Sequence, residues 1–209
     1  MDHSILLTLG LGFALGLKHA TEPDHLAAVS TIVSERRSIW QSAAVGALWG
    51  LGHTASLLAA GVLVFVMGFV IPERVAKLLE LAVAGMIIFL GTRLLFFVFS
   101  GQRPIKAHTH SGRPVVVGIL HGLAGSAALT VLVLAQIAQS GSAALGLAYL
   151  VVFGIGSIGG MLFMSCLIGL PFSLSVRFSQ RGLVFLRLLA GVASTAFGLF
   201  YAWGIIWKI

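Results

Sequence analysis

The chain reads as an all-α, polytopic membrane helix bundle of about six transmembrane helices. Three observations predict this class. Hydrophobic residues are 58% of the sequence and charged ones 9%, too little polar side chain to cover a water-soluble domain. Crossing ~30 Å of hydrocarbon takes about 20 apolar residues, and runs of that order occur at about 4–33, 42–70, 74–100, 114–139, 142–170 and 182–207. The basic residues also collect in alternate connections: Arg36 and Arg37; Arg93, Arg103, Lys106 and Arg113; Arg177, Arg181 and Arg187. That is the positive-inside pattern with the first, third and fifth connections cytoplasmic, so both termini face outward. The net charge of +7 is thereby explained without nucleic acid. The runs consume the chain as a single transmembrane domain, 1–209. Half-repeats at about 1–100 and 114–209 are joined by a cytoplasmic loop, 101–113.

The first run has no basic leading region and no small-residue cleavage site, so it reads as mature sequence and not as a removed targeting peptide. It is interrupted by Lys18-His19-Ala20-Thr21-Glu22-Pro23-Asp24-His25, between apolar Ile5–Leu17 and Leu26–Val33. Ionisable groups at membrane depth are costly and are read as functional. On an unbroken helix turning about 100° per residue, His19 and His25 would point about 120° apart and could not share an ion. Pro23 lacks an amide proton, collides with the carbonyl of residue 19 and biases Glu22 away from helical angles. A break there lets His19, Asp24 and His25 fold around one point; the competing reading is a wet kink at a helix end. Lys18 pairs with Glu22 or Asp24, or snorkels to the interface.

The second run carries His53 in an otherwise uncharged stretch, beside Gly50 and Gly52, which allow a neighbouring helix close. It is either a ligand or a satisfied structural donor. The second connection is mixed in charge, with Glu73, Arg74, Lys77 and Glu80. His121 opens the fourth run, lining an exit path or capping that helix. Glu22 and His121 are accessory candidates for the metal or proton path. Met1, Asp2 and His3 offer a square-planar amine, amide and imidazole set suited to nickel or copper(II). His108 and His110 form a His-x-His pair in the cytoplasmic loop, either a metal relay or a solvated connector. Met161, Met164 and Cys166 in the fifth run read as packing before a copper(I) path. As the lone cysteine, Cys166 excludes an intrachain disulfide or a CxxC centre.

Two short matches suggest an inverted 3+3 repeat. Gly16-Leu17-Lys18-His19 parallels Gly118-Ile119-Leu120-His121, and Trp49-Gly50-Leu51-Gly52-His53 parallels Phe153-Gly154-Ile155-Gly156-Ser157, at offsets of 102 and 104 residues. Three spans per half invert one half against the other, a symmetry common in secondary transporters.

His19-x4-Asp24-His25 followed by Gly52-His53 resembles the nickel/cobalt transporter family, and within it a short six-span branch of urease accessory or nickel transport membrane proteins. The specific part of the resemblance covers about 40 residues of the first half. It implies that His19, Asp24 and His25 carry metal recognition and that His53 is linked to selectivity. Longer members place the signature in their second of eight spans; this chain reads as lacking the leading one. The Glu22-Pro23 pair inside the signature is a feature of the short branch.

Imidazole nitrogens with a carboxylate suit nickel, cobalt, zinc and copper(II), whereas magnesium and calcium want oxygen cages. The expected activity is a permease for divalent nickel or cobalt in a bacterial inner membrane, with the ion as substrate and no cofactor. Its partners are the ion, the bilayer and, beyond these, a metallochaperone or a second copy. A metal-binding subunit without its own transport cycle is the alternative. A haem or redox protein fits less well, since haem needs spaced histidines and room for a macrocycle. No His-Glu-x-x-His signature points to a zinc hydrolase.

Overall fold

In the computed structural model, residues 3–67, 71–101, 112–125 and 142–207 are described, and among them there are helices but no strands. In chain order these are α1 (His3–His19), α2 (Pro23–Val33), α3 (Ile39–Met67), α4 (Glu73–Phe99), α5 (Arg113–Gly125), α6 (Ala143–Phe178) and α7 (Gln180–Ile206).

The first apolar run becomes two helices because of three residues. Thr21 N donates to the Lys18 carbonyl at 2.9 Å and Glu22 N to the His19 carbonyl at 3.1 Å, a tight turn that closes α1. Glu22 is extended (φ −64°, ψ 144°), as the residue before a proline is obliged to be. Pro23 then opens α2, where its missing N–H costs nothing. At the other end, Arg187 donates from Nε and Nη2 to the Ser34 carbonyl, 3.1 Å each, capping α2 with a cation.

Elsewhere the elements begin where local chemistry permits. Pro72 precedes α4, Ser142 accepts from Leu145 N at 3.3 Å to cap α6, and Ser179 accepts from Gly182 N at 3.0 Å to cap α7. The fifth run extends beyond the expected residue 170, because α6 continues through Pro171 to Phe178. In lipid, neighbouring helices and local adjustment compensate for the bond a proline removes. The fourth run is described only as far as Gly125; 126–139 and 102–111 of the connecting loop lie outside the described residues.

α3, α4, α6 and α7 are each long and apolar enough to cross a membrane, and α1 and α5 are shorter apolar helices. Their outer faces carry Phe89, Phe163, Phe185, Phe200 and Trp203, all more than half exposed. So much aromatic surface is tolerable only against lipid. Helices α1 and α3 pack along α6, α4 packs along α7, and α2 lies among α4, α6 and α7. Small residues make the closest approaches. Gly91 lies against Thr195, and Gly50 against Ile158. Gly16 abuts the Phe153 carbonyl and Ser157 amide, while Gly118 abuts the Trp49 carbonyl and His53 amide.

Candidate metal centre

The break between α1 and α2 delivers three side chains to one place. His19 ends α1, Asp24 and His25 occupy the first turn of α2, and α3 and α5 contribute His53 and His121. His25, His53 and His121 are buried, at 2%, 0% and 2% exposure, so their ring nitrogens have no water to fall back on. Small residues bring the backbones this close: a side chain at Gly52 would meet Val115, and one at Gly122 would meet Ser56 and His53.

The hydrogen bonds define which nitrogens are spent. His19 Nδ1 lies 3.0 Å from Glu22 Oε2, and His25 Nδ1 lies 3.0 Å from Asp24 Oδ1. In the neutral rings these nitrogens carry the proton and donate to the carboxylates, which leaves both Nε2 atoms as lone-pair bases. That is how carboxylates aim metal-ligating histidines. His25 Nε2 is buried without a hydrogen-bond partner among the described residues. His19 Nε2 faces His53 Nε2 at 3.1 Å, and with the His19 nitrogen as acceptor, His53 donates.

Nitrogen donor atoms of His19, His25 and His53 all lie within 4.8 Å of one another. Bound to one ion at about 2.0–2.1 Å, such atoms stand roughly 3–4 Å apart, so small ring rotations suffice. Asp24, His25 and His121 form a second group of the same tightness. In it Asp24 Oδ2 accepts from His121 Nε2 at 3.1 Å. His25 belongs to both groups, and Trp49 stacks on it nearly parallel, ring centroids 5.6 Å apart.

A cavity of about 320 Å³ opens onto this centre, lined by Lys18, Glu22, Glu80, Phe153 and Tyr201 besides the ligands. Glu80 and Tyr201 also line a neighbouring cavity of about 280 Å³ with Lys77, towards the start of α4 and the end of α7. Three carboxylates, Glu22, Asp24 and Glu80, thus face an approaching cation.

Of the residues expected from sequence, His19, Glu22, Asp24, His25, His53 and His121 come together here. His3 does not: it begins α1, about 24 Å along the helix from His19. Met1, Asp2, His108 and His110 lie outside the described residues. Sequence reasoning missed Glu80, assigned to a connection but lying in the second turn of α4, and Trp49. A carboxylate three residues past a lysine at the edge of an apolar run was the available signal for Glu80.

Imidazoles aimed by carboxylates, most of them buried, have the donor chemistry of a transition-metal site. Residues 5–115 match the family NicO, high-affinity nickel-transport protein. The urease accessory protein UreH of Bacillus sp. (strain TB-90) is 36% identical over 98% of this chain and 95% of its own. The chain belongs to this high-affinity nickel-transport family, which is one of transporters and not of enzymes. A high-affinity nickel transport protein of Cupriavidus necator is 37% identical over 35% of this chain and 21% of its own. The chloroplast protein FOR GROWTH AND FERTILITY 2 of Arabidopsis thaliana is 47% identical over 28% of this chain and 16% of its own. No solved structure matches.

Proposed function

We propose that the chain is a permease for divalent nickel, with cobalt as the nearest competing substrate, and that the ion is held by His19, His25 and His53 with Asp24. One observation carries this: two histidines, each aimed by its own carboxylate, bring ring nitrogens within 4.8 Å of one another and of a third, fully buried histidine. Asp24 aims His25 and supplies the hard donor of the set, while Glu22 and Glu80 draw the cation in. His121, tied to Asp24 and grouped with His25, is the next group along the path.

The six-span arrangement and the inverted repeat belong to the same proposal. Matching contacts support the repeat. Gly156 lies against Phe13 as Gly52 lies against Val115, and the ring centroids of His19–Phe153 and of His121–Trp49 are both 5.5 Å apart. Related by such a twofold, α1 and α5 enter from opposite faces. With the charge pattern, this favours both termini facing outward in a bacterial inner membrane, with the cavity at Glu80 on the outer side. The relative named a urease accessory protein supports delivery of the ion towards metalloenzyme maturation.

The test is flux into proteoliposomes offered nickel, cobalt or zinc, comparing wild type with His19→Ala, Asp24→Ala and His53→Ala. Saturable nickel flux that all three variants lose is the expected result. Binding without flux would make the chain a metal-binding subunit, and variants that carry nickel like wild type would sink the proposed site.

A further inference from the structure

A second cavity, of about 310 Å³, lies away from the metal centre, between α2, α4 and α5. Most of its wall is apolar, from Ile32, Met86, Phe89, Leu90 and Val116. Phe89 and Val116 are more than half exposed on the outer face of the bundle, so the slot opens where lipid chains lie.

Its polar end has the opposite character. Glu35 is held by Arg93 Nη1 at 2.9 Å and approached by Arg113 Nη1 at 3.8 Å. With Arg36 also in the lining, three guanidinium groups face one carboxylate. Arg36 is 6% exposed, yet its Nε finds no hydrogen-bond partner among the described residues. Burial pushes its guanidinium below the ordinary range, with Glu35 opposing the shift. A buried unpaired N–H on a cation is expensive.

A ligand that answers both ends must be anionic, accept several hydrogen bonds and trail apolar chains. We propose that this cavity binds an anionic phospholipid, with its phosphate on Arg36 and Arg113 and its acyl chains along the slot between α4 and α5. Basic pockets between membrane helices on the cytoplasmic side take anionic headgroups in this way. Free inorganic phosphate would satisfy the arginines but leave the apolar wall uncovered. Arg36 follows α2 by three residues, and α2 carries Asp24 and His25 in its first turn. The lipid therefore braces the far end of the short helix that presents the metal ligands.

Native mass spectrometry of the delipidated full chain, titrated with phosphatidylglycerol or phosphatidylcholine of identical chains, tests this. Wild type is expected to retain phosphatidylglycerol roughly tenfold or more over phosphatidylcholine. Arg113→Gln and Arg36→Gln should each remove most of that preference. Arg113 is half exposed, so its substitution keeps the test clear of misfolding. Equal adducts of the two lipids in wild type would overturn the proposal, as would a preference that survives both substitutions. Displacement of phosphatidylglycerol by millimolar inorganic phosphate would also overturn it, in favour of a soluble anion. The readout is lipid mass, so its failure leaves the nickel reading standing, and lost flux leaves the lipid site standing.

Discussion

Gly118→Ala probes how the metal centre is held together, because the residue is no ligand and lies where α5 crosses α3. A Cβ at Gly118 would meet Trp49 Cδ1 at 2.8 Å, the His53 amide nitrogen at 2.9 Å and the Trp49 carbonyl oxygen. Two of these are backbone atoms and cannot swing aside, so α5 must retreat by roughly 1 Å to restore ordinary contact. That stretches the 3.1 Å bond from His121 Nε2 to Asp24 Oδ2 to about 4 Å, beyond hydrogen-bonding reach. Overpacking of this kind costs about 1–3 kcal/mol. Alanine also gains ~1 kcal/mol over glycine in a helix. Gly85→Ala in α4 isolates that gain, since no atom of the described residues lies within 4 Å of its added carbon. The propensity term cancels between the two variants, leaving the overpacking cost as their difference. Thermal unfolding in detergent, followed by tryptophan fluorescence, should place Gly118→Ala below wild type and Gly85→Ala at or above it. Nickel flux should fall only in the former. Two variants that melt together and carry nickel equally would refute the claim that this crossing sets the geometry of the centre.

His53→Ala removes a fully buried donor, and nickel affinity by isothermal titration should fall by more than ~100-fold, with gel filtration unchanged. Asp24→Asn keeps the shape but loses both the charged donor of the set and the charge that aims His25 and His121; a loss of at least the roughly 10–100-fold typical of outer-shell carboxylates is expected. Nickel capture requires unprotonated imidazoles, so binding should hold at neutral pH and be lost in acid once the ring nitrogens take up protons. Affinity that did not fall even in strong acid would contradict histidine ligation. His3→Ala, about 24 Å along α1 from His19, should leave affinity unchanged.

What the sequence made legible was local. Pro23 after Glu22 predicts a broken helix, and the break is where α1 gives way to α2. His19 and His25 gain a common point only through it. His53 was visible as an intramembrane imidazole among glycines. The bond from His121 to Asp24 was not, because it spans 97 residues and depends on how closely Gly118 and Gly122 let α5 approach α3. Glu80 was hidden for a related reason. Its distance from the metal centre is decided by packing of α4 against α7, which no short motif records. The stacking of Trp49 on His25 likewise depends on the register of α3 against α2.

The pairing of α1 with α6 has a consequence for synthesis. Gly16 waits for Phe153, 137 residues later in the chain, before its helix has a surface to rest on. At roughly 5–20 residues per second that interval is about 7–30 s. Throughout it α1 is in or beside the bilayer without the α6 face it packs against, although His53 and His121, partners of His19 and Asp24, are made 34 and 97 residues after them. The newly made first helix must therefore be sheltered by the insertion machinery or held at the interface. Its recruitment is a late event in assembly, although it is made before the other described helices.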